Sequence, residues 1–169
     1  VKAVANDAEG NIYVAGNFAD IVQILDGTGE QKATINGKEG VTRQVSAFIV
    51  KYSKDGDYVA SKVIIPEQVR NDEGYDDPDP EFIPYKLIAS NGKVYLAASF
   101  QGNSKINDLT LEGKYQSLWG LYLYDVPTLA VVSLSADFAQ AELVAQMAAT
   151  DNETELGYGA EDVNFTTDG

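Results

Sequence analysis

The chain of 169 residues contains no cysteine and no histidine. Disulfides, thiolate nucleophiles, Cys/His zinc sites and Ser-His-Asp triads are therefore excluded within it. Any catalysis would have to rest on carboxylates, lysine, tyrosine, a bound metal or a cofactor. Positive charge is scarce as well: 12 Lys+Arg stand against 26 Asp+Glu, a formal net charge of -14. A surface that negative repels phosphate backbones and anionic lipid heads, which argues against nucleic acid as a partner. Calcium, basic proteins and neutral sugars stay open. No run approaches the ~20 apolar residues of a membrane span, and no signal-peptide pattern is visible. A cysteine-free, acidic composition fits many bacterial extracytoplasmic proteins, so a periplasmic, cell-surface or secreted location is expected.

What is present is an ordinary globular mixture, 44% hydrophobic, with 10 tyrosines and 6 phenylalanines, enough to build a core. The first residues from Val1 already look like a strand, and Thr167-Asp168-Gly169 reads as the first half of a turn. The sequence is therefore expected to be a piece of something longer.

An internal repeat organises it. Gly10-Asn11-Ile12-Tyr13-Val14-Ala15-Gly16-Asn17-Phe18 aligns with Gly92-Lys93-Val94-Tyr95-Leu96-Ala97-Ala98-Ser99-Phe100 at a constant offset of 82. The same offset of 82 aligns Ile49–Asp55 with Val131–Asp137. A third copy opens with Val163–Gly169, which aligns with Lys86–Gly92 at an offset of 77. The change of offset falls in a connector, where length varies most easily. Repeat 1 then covers about 1–83, repeat 2 about 84–160, and the start of repeat 3 about 161–169.

Within each repeat the alternation is that of β-strands. Ser53-Lys54-Asp55-Gly56-Asp57 separates two β-rich runs, and Asp-Gly there is the strongest short hairpin signal. Asp7–Asn11 and Ser90–Lys93 are turns of the same kind. The spacing predicts four strands per repeat: about 2–6, 11–18, 45–53 and 57–65, then about 85–90, 93–100, 127–135 and 141–148. Long insertions, 19–44 and 101–126, fall between the second and third strands and should carry extra strands. Ser117–Tyr124 is apolar on both alternating faces and is expected to be one buried strand. Ala136–Ala149 favours helix by composition, but the repeat register makes its second half a strand, and the register is followed here.

The motif Asp7-Ala8-Glu9-Gly10-Asn11-Ile12-Tyr13-Val14-Ala15-Gly16-Asn17-Phe18, then Ala47-Phe48-Ile49-Val50-Lys51-Tyr52-Ser53-Lys54-Asp55-Gly56, resembles the bacterial seven-bladed β-propeller repeat family. Its units read roughly D-x-x-G-N-x-Y-V-x-G-x-F, then x-F-V-x-K-Y-x-x-x-G. The second repeat departs from this pattern: Ala98 replaces the second glycine, and Ser133-Leu134 stands for Lys51-Tyr52. The resemblance implies an all-β fold of four-stranded antiparallel blades, two blades plus the start of a third, a partial propeller. It says little of function, because such folds host many activities. Blades must stack to bury their faces, and a ring typically needs about 4–8 of them, so the implied partners are the remaining blades of a parent chain or other copies.

Candidate chemistry is sparse. Six carboxylates fall within residues 71–81. Asp72, Asp76, Asp77, Asp79 and Glu81 could supply oxygens to calcium, but the EF-hand spacing is absent, and a solvated acidic linker is the competing reading. Tyr115, Trp119 and Tyr122, with Tyr124, form the main aromatic cluster. They would serve as a platform for a glycan or protein ligand, or simply as blade packing. Ser53–Asp57 resembles the start of a sialidase Asp-box, S-x-D-x-G-x-T-W, but Asp57 stands where glycine belongs and no Thr-Trp follows, so a plain hairpin is expected. Asn152-Glu153-Thr154 and Asn164-Phe165-Thr166 fit the glycosylation sequon and are read as incidental. No carboxylate pair is singled out for glycoside hydrolysis, and no catalytic or cofactor-binding residue is assigned. The expected function is a non-enzymatic, extracytoplasmic binding or scaffold module. The alternative is part of a propeller enzyme acting on glycans, with its catalytic residues in blades outside this chain.

Overall fold

The computed structural model describes residues 1–37, 44–67, 80–118 and 122–148, with only the backbone of 114–118, 122–126 and Ala148. The strands are β1 (Ala3–Asn6), β2 (Ile12–Phe18), β3 (Ile21–Leu25), β4 (Gln31–Asn36), β5 (Ser46–Tyr52), β6 (Tyr58–Ile64), β7 (Pro66–Glu67), β8 (Glu81–Ser90), β9 (Lys93–Gln101), β10 (Asn103–Ile106), β11 (Leu109–Leu111), β12 (Lys114–Leu118), β13 (Tyr122–Val126), β14 (Thr128–Ser135) and β15 (Ala141–Ala148). Among the described residues there is no helix. The helix-favouring composition of 136–149 is overridden: β15 is held along its length by β14, so tertiary pairing outweighs local propensity.

Two antiparallel four-stranded sheets form the body. The first has the order β1-β2-β5-β6, the second β8-β9-β14-β15. Each is a meander interrupted between its second and third strands. The central ladders correspond pair for pair. In the first sheet Ile12 pairs with Tyr52, Tyr13 with Lys51 and Phe18 with Ser46. In the second, Val94 pairs with Leu134, Tyr95 with Ser133 and Phe100 with Thr128. Every one of these positions is displaced by 82.

The outer strands keep this correspondence less strictly. Ala5 pairs with Tyr13 and Ile88 with Tyr95, so β1 and β8 are 83 apart. The two turns, expected to be of the same kind, differ in length and so set registers one residue apart. The first turn spans Asp7–Asn11 between the paired Asn6 and Ile12. The second is a two-residue turn, Asn91 (φ 52) and Gly92 (φ 71), between the paired Ser90 and Lys93. Positive φ at both residues is the geometry of a type I′ hairpin. A bulge at Val131/Val132 likewise takes up one residue between β14 and β15.

The stretch expected as one buried strand at 117–124 is two: β12 and β13 pair antiparallel, with Leu118 opposite Tyr122. The insertions also contain the β3–β4 and β10–β11 hairpins, and β7, from outside them, pairs with β10 to complete a three-stranded sheet β11-β10-β7.

The larger core lies between the sheets. Tyr13, Ala15, Ala47, Ile49 and Ile64 of the first meet Leu96, Ala98, Phe100, Ala130, Val132 and Leu134 of the second. Alternation along a strand puts Tyr13 and Phe18 on opposite faces, and they do belong to different clusters: Phe18 packs with Phe48, Val50, Ile24 and Ile35 beneath the β3–β4 hairpin. Phe100 is fully buried and stacks on Phe82, ring centroids 6.2 Å apart.

Candidate functional site

The densest polar network among the described side chains joins the two sheets at one end. It starts in the β1–β2 turn. Asp7 Oδ1 accepts from the amides of Glu9 (3.0 Å) and Asn11 (2.9 Å), the side-chain-to-backbone closure typical of Asx turns. Asp7 Oδ2 accepts from Asn11 Nδ2 (2.8 Å) and from the Tyr13 hydroxyl (3.1 Å). Burial pushes the Asp7 carboxyl up, but the hydrogen bonds from Asn11, Tyr13 and Glu9 outweigh it and leave the group below the ordinary carboxylate range. Tyr13 is pushed up to about 12, by burial first and then by its hydrogen bond to Asp7 and the charges of Asp7 and Glu9. At neutral pH it is a phenol that donates, not a base.

The Tyr13 ring meets two further groups. Lys51 Nζ lies 5.4 Å from its centroid and donates to the Ala136 carbonyl at 3.3 Å. Phe138 makes an edge contact with it, centroids 6.1 Å apart. Phe138 sits in the β14–β15 turn with φ 61 and is 4% exposed. Its counterpart 82 positions earlier is Gly56, φ 90, in the β5–β6 turn. Both amides close their turns in the same way, Gly56 N to the Ser53 carbonyl at 3.0 Å and Phe138 N to the Ser135 carbonyl at 2.8 Å. An aromatic in left-handed backbone is rare and strained. Here the strain is offset by insertion of the ring between the sheets. Asn107 completes the chain: its Nδ2 donates to the Phe138 carbonyl (3.0 Å), and its Oδ1 accepts from Lys62 Nζ. The arrangement clamps the turn of one sheet onto the face of the other. Its one carboxylate–hydroxyl pair, Asp7 with Tyr13, has the tyrosine buried at 1% exposure.

At the other end the sheets are tied through backbone. Val45 N donates to the Pro80 carbonyl (3.1 Å) and Phe82 N to the Val45 carbonyl (2.9 Å). Close by, the Gln44 amide donates to the Pro66 carbonyl, and Ser104 pairs with Pro66. Gln44 Oε1, Ser46 Oγ and Ser104 Oγ are buried with no hydrogen-bond partner.

Of the acidic residues proposed for calcium, Asp72, Asp76, Asp77 and Asp79 lie outside the described residues. Glu81 opens β8 opposite Gln101, and burial raises its carboxyl above the ordinary value. Among the described residues no group of three or more acidic side chains gathers to hold a metal. Trp119 lies outside the described residues. Tyr115 is in β12 opposite Asp125, and Tyr122 is in β13 opposite Leu118, so the hairpin separates these two along its length. Both sequons also fall outside the described residues. Sequence reasoning did not single out Phe138. Its signal was there in the offset, which sets a phenylalanine on a turn glycine.

No protein-family model, curated protein or solved structure matches the chain. No helix among the described residues is long and apolar enough to cross a membrane.

Proposed function

We propose that this chain is a run of β-propeller-type blades that acts as a non-enzymatic, extracytoplasmic binding or scaffold module for a glycan or protein ligand. The observation that carries the reading is the way the two sheets meet. Relative to the offset of 82, Leu96, Ala98 and Phe100 correspond to Val14, Gly16 and Phe18, so the second sheet turns toward the first the face opposite to the one it meets. Such front-to-back packing of like units is what a stacked repeat requires. The polar network described above ties the sheets together, and its one phenol–carboxylate pair, the buried Tyr13 with Asp7, is part of that tie, which supports binding over turnover.

The test is affinity electrophoresis through gels containing neutral polysaccharides, alongside hydrolysis assays on the same polymers. The module should be retarded by one of them without releasing reducing ends. Release of reducing ends would instead favour a glycan-cleaving enzyme, and pull-down of a single surface protein with no retardation would favour the protein ligand.

A further inference from the structure

Residues 20–37 form one tied unit. β3 and β4 share their own ladder, with Val22 opposite Ile35 and Ile24 opposite Ala33. At the far turn Asp26 Oδ1 accepts from the amides of Thr28 (2.9 Å) and Glu30 (3.0 Å) and from the Thr28 hydroxyl (2.6 Å), and Lys32 Nζ lies 3.2 Å from Oδ2. At the root, Gly37 N donates to the Asp20 carbonyl at 2.6 Å.

This unit is joined to the body far more thinly. No strand ladder connects β3 or β4 to either four-stranded sheet. Among the described residues, one hydrogen bond leaves it, from Gly27 N to the Gly56 carbonyl in the β5–β6 turn at 2.9 Å. The rest of its hold is apolar: Ile24 and Ile35 lie against Phe18, Phe48 and Val50. The opposite face of the same sheet is held by the larger core between the sheets and by the clamp around Phe138.

We propose that β3–β4 is a hinged flap. It swings as one unit about the link that follows Phe18, with the Gly27–Gly56 contact as its latch, while both sheets stay folded. Elements with few buried apolar contacts and few hydrogen bonds to the rest open at lower free energy than the core. Opening breaks one hydrogen bond and no ladder. It uncovers Phe18, Phe48 and Val50, with Tyr52 and Tyr58 beside them, so an aromatic sheet face has a covered and an uncovered state. The latch relies on glycine at position 27. A Cβ there would lie 3.5 Å from both the Cα and the carbonyl oxygen of Gly56, so a branched side chain is expected to wedge the two turns apart.

The chain has no cysteine, so a single introduced thiol reports its own access. Val50 and Ile49 are neighbours on β5 and both are almost fully buried, the first beneath the flap and the second between the sheets. The experiment measures labelling of Val50→Cys and of Ile49→Cys by an aromatic disulfide reagent in the full chain, relative to each unfolded chain, with circular dichroism to confirm the fold. Val50→Cys should react at least about a hundredfold faster, because local opening reaches it while Ile49→Cys waits for global unfolding. Adding Gly27→Val should speed Val50→Cys several-fold and leave Ile49→Cys unchanged. Equal labelling of the two thiols overturns the proposal, since the flap would then open only with the whole fold. So does a Gly27→Val effect that is absent at Val50→Cys or equal at both thiols, because the Gly27–Gly56 contact would then be no latch. Should Val50→Cys fail to fold, Val63→Cys, opposite Phe48 in the same cluster, is judged by the same criteria. Ala15→Cys, in the core between the sheets, likewise replaces Ile49→Cys.

Discussion

Gly16 in the first sheet faces Phe48 across the central ladder; in the second sheet the corresponding pair is Ala98 and Ala130. A Cβ on Gly16 would lie 2.7 Å from the Phe48 ring. One sheet therefore solves the site as nothing plus a large ring, the other as two methyl groups. A similar exchange governs the turns. Gly56 makes the first β-turn without strain, whereas Phe138 accepts left-handed backbone and places a ring in the core. The backbone ladder is held constant while side-chain volume is redistributed around it, as close packing demands.

The comparison is broken most forcefully at the phenylalanines. Phe100→Ala removes a fully buried ring stacked on Phe82, and should cost about 3–5 kcal/mol in urea unfolding. Phe18→Ala removes the matching ring beneath the hairpin, where it is 9% exposed, and should fall at or below about 3 kcal/mol because a two-stranded cover collapses more easily than a sheet. Equal losses, or a larger loss at Phe18, would contradict the difference in cover.

Gly16→Ala should cost about 1–3 kcal/mol by overpacking against Phe48. Combined with Phe48→Ala it reproduces the Ala98–Ala130 solution, so the double variant should be more stable than the sum of the single losses, by about 0.5–3 kcal/mol of coupling. Additive losses would show that the pair is not the unit of packing.

The Asp7–Tyr13 hydrogen bond has no counterpart in the tight Asn91-Gly92 turn. Tyr13 in the folded chain titrates at about 12, above the ~10 of a free phenol. Between these values the folded state holds the proton more tightly, so stability is fully present below about pH 10 and is lost as pH rises toward 12. Tyr13→Phe should flatten that loss in an alkaline unfolding series; an unchanged slope would place the loss elsewhere, for instance at Tyr52, which burial also raises.

The smallest effect is expected at Ser104, whose hydroxyl is buried without a partner. Ser104→Ala should be neutral or mildly stabilising, since it removes an unmet desolvation cost of about 1–3 kcal/mol. A loss above about 1 kcal/mol would show that the hydroxyl is satisfied after all.

Much of this architecture was legible in the residues. The strands and the central offset follow from alternation and from the Gly-Tyr-Phe spacing, because inward-facing side chains fix register. The 83-residue displacement of the outer strands was not. It depends on how many residues each turn consumes, and Asp7–Asn11 and Asn91-Gly92 look alike until their φ angles are known. The split of 117–124 into β12 and β13 was hidden because apolar residues on both faces suit one buried strand or two short ones equally. The clamp around Phe138 was hidden for another reason. Tyr13, Lys51, Asn107 and Phe138 are far apart in sequence, and only sheet packing brings them together.

The claim that the two sheets are equivalent units is tested most directly by nuclear magnetic resonance on the intact chain. Cross-strand contacts should show Tyr13 opposite Lys51 and Tyr95 opposite Ser133, with the same hydrogen-bonding class at both pairs, and a contact between the Tyr13 and Phe138 rings. A displacement of either ladder by a single residue would place opposite faces in correspondence and contradict the equivalence.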